Sequence, residues 1–332
     1  MLERRAALYS DRPPIPMVKD PGLMNWPGNV GLIEYGEVWR HCRRMMKNWL
    51  NKRAVNRFDD LQERQARLLL QRLLGPTNHV QPFGHIKDEF FFIIGSTMLQ
   101  LTYGYKPKNP QDRFFKEAQQ TIHNVISAGM QTNSLVNVFP ALLYVPDWFP
   151  GTGWKRTGKE YGAQLNKARS GPYEWVKGQL ANGTSQPSLL SSLLQDQKLL
   201  SGLCLMERDK RLKDIGIALF GGGTDTTANF FVCFVAAMVM NPHVQARAQH
   251  ELDTVLGPAV LPRISDKERL PYIRNVIDEL FRLYPVVPLD SLGNIWAMTR
   301  DPRHYYDPET FDPDRYLDPN VSRPPVFGWG RR

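Results

Sequence analysis

Apolar residues recur along this chain at helical spacing, in segments separated by joints rich in Pro, Gly and Asp, and the pattern predicts a mostly helical protein. Glu34 to Arg57 reads as a basic helical stretch. Asp59 to Leu74 is amphipathic, with Leu61, Leu68 and Leu69 near one face. Phe83 to Tyr103 is rich in Phe, Ile and Leu and reads as buried, and Gln111 to Met130 is a further helix. Phe139 to Gly151 is a Pro-punctuated turn region, after which Lys155 to Leu180 is a long polar helix. Asn182 to Pro187 is a loop, followed by Ser188 to Leu200 and a charged joint. Asp214 to Met240 is the longest apolar element; at ~1.5 Å per residue it spans roughly 40 Å. The helical pattern resumes after the Asn241–Pro242 break. Ser265 and Glu268 have the spacing of a capping box. Pro271 opens a helix that runs to Tyr284, with an apolar stripe of Ile273, Val276, Ile277, Leu280 and Tyr284. Beyond Pro288 the chain turns to Pro, Asp and aromatics, a meander of tight turns.

Composition narrows this picture only a little. Apolar residues make up 42% of 332, ample for a large core, and the formal charge is +9. Such a charge suits an acidic partner or an anionic membrane surface; nucleic acid is set aside because no basic–aromatic motif accompanies it. The three cysteines, Cys42, Cys204 and Cys233, form neither a disulfide framework nor a zinc pattern, and read as ordinary thiols. The start is polar and basic, without an apolar leader segment. Ile215 to Met240 is long enough to cross a bilayer, yet it holds Asp225, three Thr and three consecutive Gly, so the expectation is a buried helix of a soluble core.

Four constellations carry candidate chemistry. The first is "GGGTDTT", Gly221 to Thr227. Each Gly costs ~1 kcal/mol against Ala inside a helix. Three in a row predict a bulge or kink, with a groove where side chains are missing and Asp225 and Thr226 beside it as a proton relay. The alternative is close helix packing at small residues, with Asp225 in an ordinary hydrogen bond. No Lys follows in the spacing of a phosphate loop. The second is "ELFR": Glu279 and Arg282 meet at i, i+3, off the apolar stripe, so periodicity makes them an exposed pair unless a third partner, Arg315 of "FDPDRY", buries them. The third is "EVWRHCRR", where Trp39 and Arg43 at i, i+4 form either a grip for a carboxylate or phosphate, or a solvated basic face with Trp39 packed inward. The fourth is "FGWGRR", with Phe327, Gly328, Gly330 and Arg332 in a loop whose backbone passes close to something flat.

In this order the four resemble the motifs of the cytochrome P-450 family, the haem-thiolate monooxygenases, in the style of the fungal microsomal members. "GGGTDTT" is similar to the oxygen-activating segment of the family's long central helix, "ELFR" to E-x-x-R, "PDRY" to a P-E-R-F-like motif with Asp and Tyr as departures, and W-x-x-x-R and F-x-x-G-x-R to the remaining two. The resemblance covers nearly the whole chain and implies a mainly α fold as a single partial domain over residues 1–332. It implies Asp225 and Thr226 as catalytic proton donors. By the same resemblance haem (iron protoporphyrin IX) would be held by Trp39, Arg43, Gly222, Gly223, Phe327, Gly330 and Arg332. Glu279, Arg282 and Arg315 form a buried structural triad. It further implies O2, an apolar organic substrate facing Phe83 to Phe92 and Phe220, electrons from NADPH through NADPH–cytochrome P-450 reductase meeting the face of Arg40, Arg44 and Lys47, and an endoplasmic reticulum membrane setting typical of fungal secondary metabolism.

Three departures accompany it. In the family a Cys follows the position of Arg332 by two residues, and no cysteine of this chain has that loop context, so no metal ligand is assigned. The family places a small sheet segment after Leu289 and an anchor helix with first strands ahead of the position of Met1, and the expectation is that this chain lacks them. The expectation is therefore an incomplete fold, inactive as written, with a catalytically dead interaction or regulatory fragment as the alternative.

Overall fold

A computed structural model describes residues 11–75, 82–286 and 294–326. The principal helices are α1 (Glu37–Leu50), α2 (Asp59–Leu73), α3 (Pro82–Tyr103), α4 (Arg113–Gly129), α5 (Gly153–Ala181), α6 (Leu189–Gln195), α7 (Leu205–Met240), α8 (Pro242–Leu256) and α9 (Pro271–Leu283), and the described residues contain no extended strand. The mainly α expectation holds. The chain divides into two compact units, one made of the described residues within 11–58 and 91–225, the other of those within 59–90 and 226–332; α3 and α7 contribute to both.

In the first unit the core is built on α4, α5 and the leading part of α7. Gly95 on α3 leaves its side-chain space to the rings of Phe115 and Phe220, and Phe92 meets Phe115 edge-on at 5.3 Å. Gly162 on α5 does the same for the backbone of Met24, so a side chain there would collide with main chain. Asp112 caps α4 by accepting from the Phe114 and Phe115 amides. Ser188 and Ser191 cap α6 reciprocally.

The sequence placed the start of α7 at Asp214, but the helix begins at Leu205. The charged residues read as a joint are its first turns. Glu207 pairs with Arg211, Arg208 donates to the Leu194 carbonyl, and Asp209 accepts from the Tyr173 hydroxyl at 2.7 Å. These partners stabilise a helical turn whose apolar content is low. The helix also runs unbroken through the three glycines where a bulge was expected.

In the second unit α8 and α9 pack with the end of α7 around Met238, Val244, Tyr272, Val276, Leu280, Leu283 and Phe311. The Leu270 side chain makes no cap at the start of α9; instead Glu251 of α8 accepts from the Tyr272 and Ile273 amides at 2.8 and 2.9 Å, a carboxylate on the positive end of the helix. Three patterning expectations need correction. Ile277 is exposed, because the buried face of α9 is centred on Val276, Glu279, Leu280 and Leu283. Leu68 is exposed while Leu69 is buried. Residues 264–269 form a single 3-10 turn in which Asp266, not Glu268, reaches back, to the Arg263 amide at 2.9 Å.

Candidate functional site

The "ELFR" pair is fully buried. The Arg282 guanidinium donates to both oxygens of Glu279 at 2.8 Å, and Arg315 Nε donates to Glu279 Oε1 at 3.0 Å. The Asp312 amide adds a fourth bond, at 2.9 Å. The remaining guanidinium hydrogens go to backbone carbonyls: Arg282 to Thr299, Pro308 and Thr310, and Arg315 to Tyr306 and Thr310. Burial alone would lower the Arg282 pKa; the bonded Glu279 carboxylate more than offsets this and holds it above its ordinary value. Periodicity made this pair an exposed one. It is buried because the 299–315 segment wraps over α9 and supplies carbonyls, a polar lid that an apolar-stripe argument does not register.

Along α7 the three glycines differ in what occupies the space of their missing side chains. Gly221 abuts Ile122 and Gly223 abuts Met98, whereas Gly222 faces open space and is exposed. The close-packing reading holds at the outer glycines; the expected bulge does not form, and open space remains only beside Gly222. Asp225 and Thr226 follow Gly222 at i+3 and i+4 and so share its side of the helix; both are half-buried and engaged with neighbours. Thr224, between them and the glycines, is buried, and its hydroxyl has no hydrogen-bond partner among the described residues.

On α1, Trp39 is buried and Arg43 exposed, with the guanidinium 5.7 Å from the indole centroid. Trp39, Cys42, Met45 and Met46 form the buried face, and Arg40, Arg44 and Lys47 remain on the exposed one. The helix is fixed from behind by His41, whose ring lies 2.7 Å from the Leu199 carbonyl and 2.9 Å from Arg211 of α7. Sequence reasoning passed over His41; the Glu207–Arg211 spacing of i, i+4 was the one visible sign that Arg211 is held in place. Among the expected apolar lining, Phe90, Phe92 and Phe220 are buried but Phe83 is half exposed. Phe327, Gly330 and Arg332, and the segment expected to lack a small sheet, lie outside the described residues.

Cys42 shares the buried face of α1 with Trp39, and no cluster of metal-ligating side chains occurs among the described residues. The Cys42 thiol is buried and pushed up to about 11 by that burial, which keeps it protonated.

A model of the family Cytochrome P-450 matches residues 4–291 and 292–332. The chain is similar to a cytochrome P-450 monooxygenase of Armillaria gallica (31% identical, covering all of this chain and 69% of that protein). It is equally similar to cytochrome P-450 monooxygenase 226 of Postia placenta (31%, all of this chain and 66% of that protein). A third relative is cytochrome P-450 monooxygenase COX2 of Coprinopsis cinerea (30%, all of this chain and 67% of that protein). The chain thus spans about two thirds of the length of the curated relatives it matches.

Proposed function

Because the chain belongs to the cytochrome P-450 family, we propose that its activity is that of a haem-dependent monooxygenase, an oxidoreductase that inserts one atom of O2 into an apolar organic substrate with electrons from NADPH delivered by a reductase. The observation that carries this reading is the opening at Gly222, one helical turn before Asp225 and Thr226 and flanked by glycines closed off by Ile122 and Met98.

The residues present fit a planar group with carboxylate substituents. An exposed guanidinium beside an indole suits a propionate, and a helix wall without a side chain lets a flat ring approach. Trp39 and Arg43 would hold the propionates, with Phe327, Gly330 and Arg332 assigned to the same group by their motif. Haem, when bound, supplies the redox chemistry of oxygen insertion. Asp225 takes up and releases a proton at its carboxylate, and the Thr226 hydroxyl passes it along the Gly222 side of the helix. Glu279, Arg282 and Arg315 hold the 299–315 segment on α9 and contact no substrate.

An endoplasmic reticulum membrane location is part of the proposal. It is supported by an exposed apolar segment between α4 and α5, in which Tyr144 is 90% and Trp148 81% exposed, near the exposed Arg156 and Lys159. Aromatics beside cations are the usual composition of a surface that rests on lipid headgroups.

A second reading, an inactive polypeptide acting as an interaction partner, is favoured by the cysteines: Cys42 is protonated and buried in α1, Cys233 lies within α7, and Cys204 is exposed just ahead of it. Titrating the purified chain with hemin and recording the reduced carbon monoxide spectrum separates the two. Saturable binding weakened about tenfold by Arg43→Ala, the worth of one charge-assisted contact, supports the haem site. Absence of binding removes it. A thiolate-type Soret shift from this polypeptide would remove the second reading.

A further inference from the structure

The helix that carries Trp39 and Arg43 is anchored on its other side through one imidazole. His41 stands between them, and its Nε2 lies 2.7 Å from the Leu199 carbonyl while its Nδ1 lies 2.9 Å from an Arg211 guanidinium nitrogen. A carbonyl only accepts and a guanidinium only donates. The ring must therefore carry its proton on Nε2 and present a lone pair at Nδ1, so both partners are satisfied by the neutral tautomer alone.

A second proton has one place to go, Nδ1, where it would face the N–H of Arg211. Two donors and two positive charges would then meet at hydrogen-bond distance, and the link between α1 and α7 would break. The carboxylates on these elements and on the Leu199 segment are each engaged elsewhere: Glu37 with Arg40, Asp196 with the Lys198 and Leu199 amides, and Asp214 with Arg169. On α1 the neighbours are Arg40 and Arg44. On α7 they are Arg208 and Arg211, and the adjacent carboxylate, Glu207, is already bound to Arg211. The Leu199 segment contributes the carbonyl, and its own charges, Asp196 and Lys198, flank it within the turn.

We infer that His41 is a positioning residue, a pH-sensitive latch that fixes α1 against the start of α7 when neutral and releases it when protonated. Because Trp39 and Arg43 ride on the same helix, acidification loosens the grip they form; this last step rests on the haem reading above, whereas the latch itself does not.

Three variants test it. His41→Gln offers an amide oxygen to Arg211 and an amide N–H to Leu199 without titrating, and His41→Lys imposes the cation at every pH. Hydrogen exchange over Glu37–Leu50, corrected for the intrinsic effect of pH, is compared at pH 7.5 and 5.5 in the complete chain, and hemin affinity is measured in parallel. Protection in the natural chain is expected to fall about tenfold at pH 5.5, the worth of one charge-assisted hydrogen bond. His41→Gln is expected to stay protected at both values and His41→Lys to be exposed at both. A His41→Gln chain that loosens with acid as steeply as the natural one overturns the latch, as does a His41→Lys chain fully protected at pH 7.5. His41→Phe, which fills the space but accepts no hydrogen bond, guards against a packing effect: protection equal to the natural chain at pH 7.5 also overturns it. Exchange that follows His41 while hemin affinity does not leaves the latch standing and counts against the haem site.

Discussion

Two buried acid–arginine sites differ in how fully their carboxylates are hydrogen-bonded. At Glu279 the carboxylate receives two bonds from Arg282, one from Arg315 and one from the Asp312 amide, and the two guanidinium groups also donate to the carbonyls of Thr299, Tyr306, Asp307, Pro308 and Thr310. At Asp214 the carboxylate is bound by Arg169 at 3.1 Å, while the backbone of Gly28 lies against its second oxygen. There burial outweighs Arg169, Trp26 and Lys210 together, and the Asp214 pKa is raised. A buried carboxylate with few hydrogen bonds carries more of the cost of its burial than one with a full set.

The largest effects are expected where the network is complete. Arg282→Ala leaves Glu279 charged and buried, and should cost about 3–5 kcal/mol in urea unfolding. Arg282→Lys should recover little, because an ammonium cannot reach a carboxylate bidentately and several carbonyls at once. A loss under about 1 kcal/mol would show that the network is not what holds the 299–315 segment in place.

A smaller effect is expected from Gly28→Ala, whose new methyl group would occupy the position of the Asp214 carboxylate and displace it from Arg169. Overpacking of this kind costs typically about 1–3 kcal/mol, and pairing it with Asp214→Ala should cancel much of the loss if the collision is the cause.

The Asp214 site also carries a pH dependence of its own. A carboxyl group whose pKa is higher in the folded than in the unfolded chain makes the folded state bind more protons between the two values. Stability therefore falls as pH rises from the ordinary aspartate range through the raised value. Asp214→Asn is expected to flatten that slope in unfolding measurements from acid to neutral pH; an unchanged slope assigns the dependence elsewhere. Smallest of all, burial raises the Cys42 thiol, Arg211 opposes it, and the Asp214 carboxylate adds to it. Alkylation at pH 8 should reach exposed Cys204 first, and Asp214→Asn should speed reaction at Cys42 only modestly.

Helix spacing and punctuation made most of the fold legible. Asp112, Pro271 and Gly257 sit at helix ends, as their chemistry requires. The failures occur where polar groups stand in for apolar ones. The first turns of α7 read as a joint because their stabilising partners, Leu194 and Tyr173, come from other elements. Ile277 read as core because the true buried face of α9 includes Glu279 and Arg282.

What the sequence determined by itself is the order of helices, the family, and which residue types stand at the motif positions, since these depend on local periodicity and on residue identity. Tertiary structure alone decided which of three adjacent glycines is open, that Glu279 is reached by four donors, and that His41 is wedged between a carbonyl and a guanidinium. Those outcomes depend on atoms brought together from distant parts of the chain, where neighbouring helices and loops fill one space and leave the next one free.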